Sequence, residues 1–172
     1  MKSSGKSWHL KFKKVTHPRP FELMHAHNIT HDYPLHIHEK FCLAIVLQGT
    51  ETHICRGKSF QAVGGNLLLI NANEAHSSKS VNSEYRVIYI APAELKSIAS
   101  EVTGPKSKNL HFPEPVIKDS EIFQSLLDLH LKFEQKASPL ETGFFDQSHL
   151  SRNFKRITGM TPRYYYSHSN TV

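Results

Sequence analysis

Long apolar runs are what this sequence most plainly lacks. Its best apolar stretches, Cys42 to Leu47 and Leu67 to Ile70, are strand-sized and far short of the roughly 18 residues that a membrane span needs. No membrane-spanning segment and no membrane partner are expected. Met1 to Lys14 is basic but has no apolar h-region, so no secretory signal is expected either. Cysteine is scarce, with Cys42 and Cys55 alone among 172 residues. Two cysteines cannot build a disulfide framework, which points to free thiols in a reducing, cytoplasmic setting. Apolar residues are thin overall, at 38%, against about 45–50% in ordinary globular domains. A chain of 172 residues has room for one domain and a short appendage, while two full domains would be cramped.

Acid is missing from one end. Residues 1–20 carry six Lys or Arg and no Asp or Glu, residues 21–136 carry eleven bases and thirteen acids, and residues 137–172 carry four bases and two acids. The net charge of +6 therefore sits at the two ends. Such ends serve either as solubilising tails or as contacts to phosphate, while the body does not look like a nucleic-acid surface.

From Phe21 to about Ala91 the sequence reads as short strands separated by turns, as in a β-sandwich or barrel. The expected strands are Phe21 to His27, His36 to Gln48, Thr50 to Cys55, Ser59 to Ala62, Leu67 to Asn71 and Tyr85 to Ala91. Gln48-Gly49, Arg56-Gly57-Lys58 and Gly64-Gly65-Asn66 supply turn chemistry between them. Links this short predict an antiparallel meander. After Pro92 the period changes: Ala93, Leu95, Ile98, Ala99 and Val102 make one helical stripe that ends before Gly104-Pro105. Asp119 or Ser120 would cap a second helix, whose Ile122, Phe123, Leu126, Leu127, Leu129, His130 and Phe133 form a broad apolar face. That face needs cover from the sandwich or from a second copy of the chain, so a dimer contact is predicted there. Asp146 would cap a third helix over Gln147 to Thr158, stopped by Gly159 and Pro162.

His36-Ile37-His38 places two imidazoles on one face of a strand, because side chains repeat with period two. His76 follows a tight loop, Asn71 to Ala75. This arrangement resembles the cupin family. Gly65, five residues, Asn71-Ala72-Asn73, two residues and His76 keep the spacing of its second motif. His36, His38 and Gly49 keep the first. The carboxylate of that first motif is missing, and Cys42 and Leu43 stand where it would fall. Three neutral imidazoles can hold Zn, Fe, Mn or Ni, and Cys42 shares strand parity with His36 and His38 and could add a thiolate. Equally, the three could line a small polar pocket without metal. The effector pocket is predicted to comprise His36, His38, His76, Cys42, Asn71 and Asn73, with no obligatory cofactor.

Thr142-Gly143-Phe144-Phe145-Asp146-Gln147-Ser148-His149-Leu150-Ser151-Arg152-Asn153-Phe154-Lys155-Arg156-Ile157-Thr158-Gly159-Met160-Thr161-Pro162-Arg163-Tyr164-Tyr165 resembles the turn, recognition helix and closing segment of the second helix-turn-helix in AraC-family transcription regulators. The body, notably His36 to His76, Tyr85 to Leu95 and Phe112 to Leu131, is similar to the effector-binding half of one AraC-type subgroup. With Leu150, Phe154 and Ile157 facing a core, the opposite face presents Ser148, Arg152 and Lys155, flanked by His149, Ser151 and Arg156. Arg reads guanine edges, Ser bonds bases or phosphate, and Lys155 and Arg156 neutralise phosphates.

The resemblance implies a mainly β chain, a cupin-like double-stranded β-barrel or sandwich followed by two or three helices. Its parts would be a basic N-terminal tail (1–20), an effector-binding and dimerisation domain (21–136) and a partial helix-turn-helix (137–172). AraC-type DNA-binding halves carry two helix-turn-helix units, and here the first unit and most of the support for the second are absent. A recognition helix without that support is expected to bind DNA weakly. The expected function is that of a non-enzymatic, AraC-like regulator whose partners are DNA, a small-molecule effector, and a second copy or a full-length relative. The alternatives are a metal-dependent cupin enzyme and a plain interaction partner that does not bind DNA.

Overall fold

The computed structural model describes residues 9–16, 19–103 and 110–135. Seven strands and two helices follow one another: β1 (His9–Val15), β2 (Phe21–His36), β3 (Phe41–Cys55), β4 (Lys58–Val63), β5 (Leu67–Ile70), β6 (His76–Ile90), α1 (Pro92–Thr103), β7 (Val116–Ile117) and α2 (Ser120–Gln135). All pairings are antiparallel, so the expected mainly β class with trailing helices holds. The third helix and the residues Ser148, His149, Ser151, Arg152, Lys155 and Arg156 lie outside the described residues.

The sheet is not a meander. Its order is β1-β2-β6-β3-β5-β7, with β4 also paired to β3. Local turn chemistry correctly marks where the chain reverses, but strand partnership is decided by which faces can be buried together. β2 and β3 are consecutive in the chain, yet β6 runs between them. Three further expectations are corrected. β2 continues past His27 to His36, β6 begins at His76 rather than Tyr85, and β3 runs unbroken through Gly49.

The basic N-terminus is not all tail either. In His9–Val15, Leu10 and Phe12 alternate with Lys11 and Lys13, and the apolar pair packs against the main core while β1 pairs with β2 along its whole length. Lys11 and Lys13 occupy the other parity of the strand.

Alternation builds two cores from one sheet. Met24, Ala26, Cys42, Ala44, Val46, Leu68, Val87 and Tyr89 point to the inner face. Their neighbours in sequence, Leu23, Ile45, Leu67, Leu69 and Ile88, point to the outer face. α2 covers that outer face. Leu126, Leu129 and Phe133 rest on Val15, Leu23 and Ile88, and Phe123, Leu126 and Leu127 rest on Ile45, Leu67 and Leu69. Most of the apolar face of this helix is thus covered by its own sheet, while Ile122 stays 45% exposed. β5 is buried on both parities for the same cause.

The Asp119 carboxylate accepts from the backbone N–H groups of Glu121 (3.0 Å) and Ile122 (2.9 Å), which makes Asp119 the cap of α2. Asp119→Ala should lower stability by about 1 kcal/mol, to be read from urea unfolding curves.

Candidate functional site

His36 closes β2, His38 sits in the turn that follows, and His76 opens β6. The two imidazoles of the His-x-His motif therefore do not share a strand face as the period-two reading had it. The turn swings His38 back instead, and Asn73 N–H donates to the His38 carbonyl at 2.8 Å to hold it there. Ring centroids stand 4.2 Å apart for His36 and His76 and 4.8 Å apart for His38 and His76. A ring nitrogen from each of the three lies within 4.8 Å of the others.

Each ring is held by a backbone carbonyl. Nδ1 of His36 bonds Pro34 O (2.7 Å), that of His38 bonds Lys40 O (2.8 Å) and that of His76 bonds Glu74 O (2.8 Å). A carbonyl only accepts, so each Nδ1 must carry the proton and each Nε2 keeps its lone pair. Burial lowers the basicity of His36 and His38 and takes His76 down to about 3, where the neighbouring imidazoles add to the effect. Neutral, carbonyl-oriented imidazoles are the form that ligates a metal. Cys42 Sγ lies 3.2 Å from His38 Nε2. Burial pushes its thiol well up, so it stays protonated and donates to that nitrogen. Both cysteines are free and buried.

Behind the triad lies a cavity of about 70 Å³. Met24, Ala44, Val46, Leu68, Ile70 and Val87 make one wall apolar. Strand register places three polar rows across β2, β6 and β3: His31 with Ser80 and Glu51, Tyr33 with Ser78 and His53, and His36 with His76 and Cys55. Glu51 is 4% exposed and His53 fully buried. Burial pushes the Glu51 carboxyl up to about 7, against the hydroxyls of Ser83 and Ser80 that pull it down. His53 is held down at about 4, again chiefly by burial.

Residues 20–150 match the family of AraC-like ligand binding domains. This chain belongs to the AraC family. Residues 140–166 of the AraC-family chain match the bacterial regulatory helix-turn-helix proteins of that family, over part of the motif. A relative from Bacillus subtilis (strain 168), the uncharacterized HTH-type transcriptional regulator YbfI, is 26% identical over 116 residues, which are 65% of this chain and 42% of that protein. The chain thus spans less than half the length of that relative. Among solved structures, an RmlC-like cupin family protein with a double-stranded β-helix fold from Methanocaldococcus jannaschii is 16% identical with a TM-score of 0.42, covering 57% of this chain and 91% of that one. KdgF from Halomonas sp. is 15% identical with a TM-score of 0.40, covering 48% and 85%.

Four of the six expected pocket residues of the AraC-family chain, His36, His38, His76 and Cys42, line the cavity, whereas Asn71 and Asn73 do not. The Asn71 amide donates to Glu74 (2.9 Å) and to Phe112 O (3.1 Å), and its oxygen accepts from Phe112 N–H (2.7 Å). Arg56 joins the same latch through Glu74 and through the carbonyls of Pro113 (2.6 Å) and Phe112 (2.9 Å). Asn73 is exposed with φ at 60° and acts through its backbone on the His38 turn. Both asparagines hold the loop that delivers His76.

Sequence reasoning missed Glu51, Tyr33, Tyr85 and Tyr89 in the cavity and His53 beside His76. A signal existed, since Glu51, His53 and Cys55 share one parity of β3. Hydropathy assigns that parity to solvent, because Ile54 stands on the other. The structure reverses it, leaving Ile54 48% exposed.

Proposed function

We propose that this AraC-family chain is a small-molecule sensor that reports occupancy of the cavity, through α2, to the DNA-recognition segment at residues 140–166. One observation carries the reading. A single layer of sheet separates the cavity from the helix, with Ala44, Val46 and Val87 facing inward while Ile45 and Ile88, between or beside them, seat α2 outward. A ligand that shifts β3 or β6 therefore shifts the seat of the element that precedes the recognition segment, which is the physical content of coupling between two sites.

The family match and the relative's name support transcription regulation as the output. Between the end of α2 at Gln135 and the matched segment there is no chain for a first helix-turn-helix unit. The DNA-contacting set remains Ser148, His149, Ser151, Arg152, Lys155 and Arg156, and pairing with a full-length relative would supply the missing unit. Anisotropy titrations with promoter DNA should show weak, unselective binding by this chain alone and altered binding when a full-length relative is added. Nanomolar, sequence-selective binding by this chain alone would overturn the incomplete DNA-binding half.

The triad suits a divalent ion, Zn, Fe, Mn or Ni: three oriented imidazoles converge, and among the described residues no Lys or Arg lines the cavity with them. Such an ion would supply a Lewis-acidic anchor for an oxygen of the effector. His36, His38 and His76 would hold it, with Cys42 adjoining. The expected result is near-stoichiometric metal after purification under mild conditions, with affinity lowered at least tenfold in His38→Ala, measured by elemental analysis and competition with a chelator. Metal-free, folded protein that takes up none of the four ions would leave a pocket of neutral imidazoles. The same triad favours one second reading, a metal-dependent cupin enzyme, which turnover of a bound small molecule would establish.

A further inference from the structure

The cavity holds one feature that neither the triad nor the core explains. Glu51 projects from β3 into it, and Ser80 donates to its Oε2 at 2.8 Å. Among the described residues its Oε1 is buried without a hydrogen-bond partner, the nearby Ser83 hydroxyl donating to Gln48 O at 3.2 Å instead. Leaving such an oxygen unpaired costs about 1–3 kcal/mol, and a packed core has no use for it. No Lys or Arg is among the described residues that line the cavity. The rest of the polar lining is the three imidazoles of the triad, the Cys42 thiol, Ser78 and the hydroxyls of Tyr89, Tyr33 and Tyr85, the last two 2.7 Å apart.

We propose that Glu51, backed by Ser80, is the anchoring subsite of the cavity and takes a small, non-anionic molecule through its hydroxyl or amine donors. The proposal rests on the sensor reading and names the class of effector. Three conditions define that class. A donor is needed because Oε1 can only accept while the carboxyl is ionised. An acid is disfavoured at this end of the cavity, because its charge would face the buried Glu51 in the row of Ser80, two rows from the triad and any ion it holds, with no Lys or Arg among the described lining residues. Small size follows from a volume of about 70 Å³, room for roughly five waters. The apolar wall of Met24, Leu68 and Ile70 would pack the carbon part of the guest.

The test uses three probes of matched size on the whole chain, kept free of divalent metal by a chelator: 1,2-propanediol, propylamine and propionate. Binding is measured by calorimetry on wild type and Glu51→Gln. In ¹³C-labelled wild type, the Glu51 carboxyl and His76 ring resonances are followed as probe is added, so the result does not depend on a variant that folds. The expected result is that the diol or the amine binds, shifts the Glu51 carboxyl resonance and loses at least tenfold affinity in Glu51→Gln. The diol alone would mark a hydroxyl-seeking subsite and the amine alone a cation-seeking one. Propionate binding as tightly as the others, or binding that moves His76 but not Glu51, overturns the Glu51 subsite and leaves the sensor reading standing. Silence of both resonances with all three probes overturns both.

Discussion

Gly49→Ala is expected to destabilise the chain by about 3–5 kcal/mol, in the range reserved for a few severe mechanisms. Gly49 sits in the middle of β3, where the register with β6 shifts on either side of it, and takes φ at 78°. An alanine Cβ there would stand 2.3 Å from the Asn82 carbonyl oxygen and 2.6 Å from Asn82 C and Ser83 Cα. All three are backbone atoms of the paired strand, so no side chain can swing away. The left-handed conformation adds about 1–2 kcal/mol for any residue with a Cβ. Gly65→Ala separates the two effects. Gly65 has φ at 90° with nothing within 4 Å of its Cβ position, so only the conformational part applies. Urea unfolding of the two variants should differ by about 2–3 kcal/mol, and equal values would show that the close approach to β6 is not as described.

Acid should loosen α2 before it titrates the exposed surface carboxylates. His130 is 1% exposed and lies between α2 and the sheet, where its Nε2–H donates to Val87 O at 3.2 Å. Burial holds its basicity down at about 4, and the Arg86 guanidinium and His25 push in the same direction, while Glu134 and the Val87 carbonyl oppose them. The folded state therefore binds fewer protons than the unfolded chain between about pH 6.5 and 4. Stability present above pH 6.5 is lost as pH falls through that window, by about 1.4 kcal/mol per pH unit and about 3 kcal/mol in all. Glu51 has the opposite sign, because its raised value costs stability as pH rises from about 4.5 to 7. The informative quantity is thus the difference between wild type and His130→Leu across pH 7 to 4. That difference should close by about 3 kcal/mol as the pH falls, with α2 amides exchanging faster in wild type at low pH. A constant difference would mean that His130 is not protonated on unfolding.

Much of the candidate site is legible in the sequence, though for partly mistaken reasons. His36, His38 and His76 were brought together by motif spacing, and they do converge. The geometry is a strand end, a turn and a strand start rather than one strand face, because the chain bends immediately after His36. Asn71 and Asn73 were drawn in by nearness in number to His76. A tight loop, however, must satisfy its own backbone, and both are spent on that. Glu51 and His53 were hidden by the ordinary rule that polar parity faces water. Only the partner strand, with Ser80 and Ser78 opposite them, shows that this parity is an interior polar wall. The first two helices are legible in the sequence, since Pro92, Asp119 and the apolar stripes are local signals. Strand order is not, because β2 pairs with a strand that begins forty residues after β2 ends, from His36 to His76.

That last pairing has a consequence for the chain as it is made. β1 and β2 can form a hairpin as soon as they leave the ribosome, and β3, β4 and β5 can form a second local unit. Neither completes the sheet. β6 is inserted between them, pairing with β2 from Glu22 to His36 on one side and with β3 from Phe41 to Cys55 on the other. At the usual ~5–20 residues per second, β2 waits several seconds with one edge open. Non-local pairing of this kind is slow to nucleate and leaves edges that other chains can join. A nascent chain stalled before His76 is therefore two unjoined half-sheets with open edges, a species that a holding chaperone would have to shield until β6 emerges.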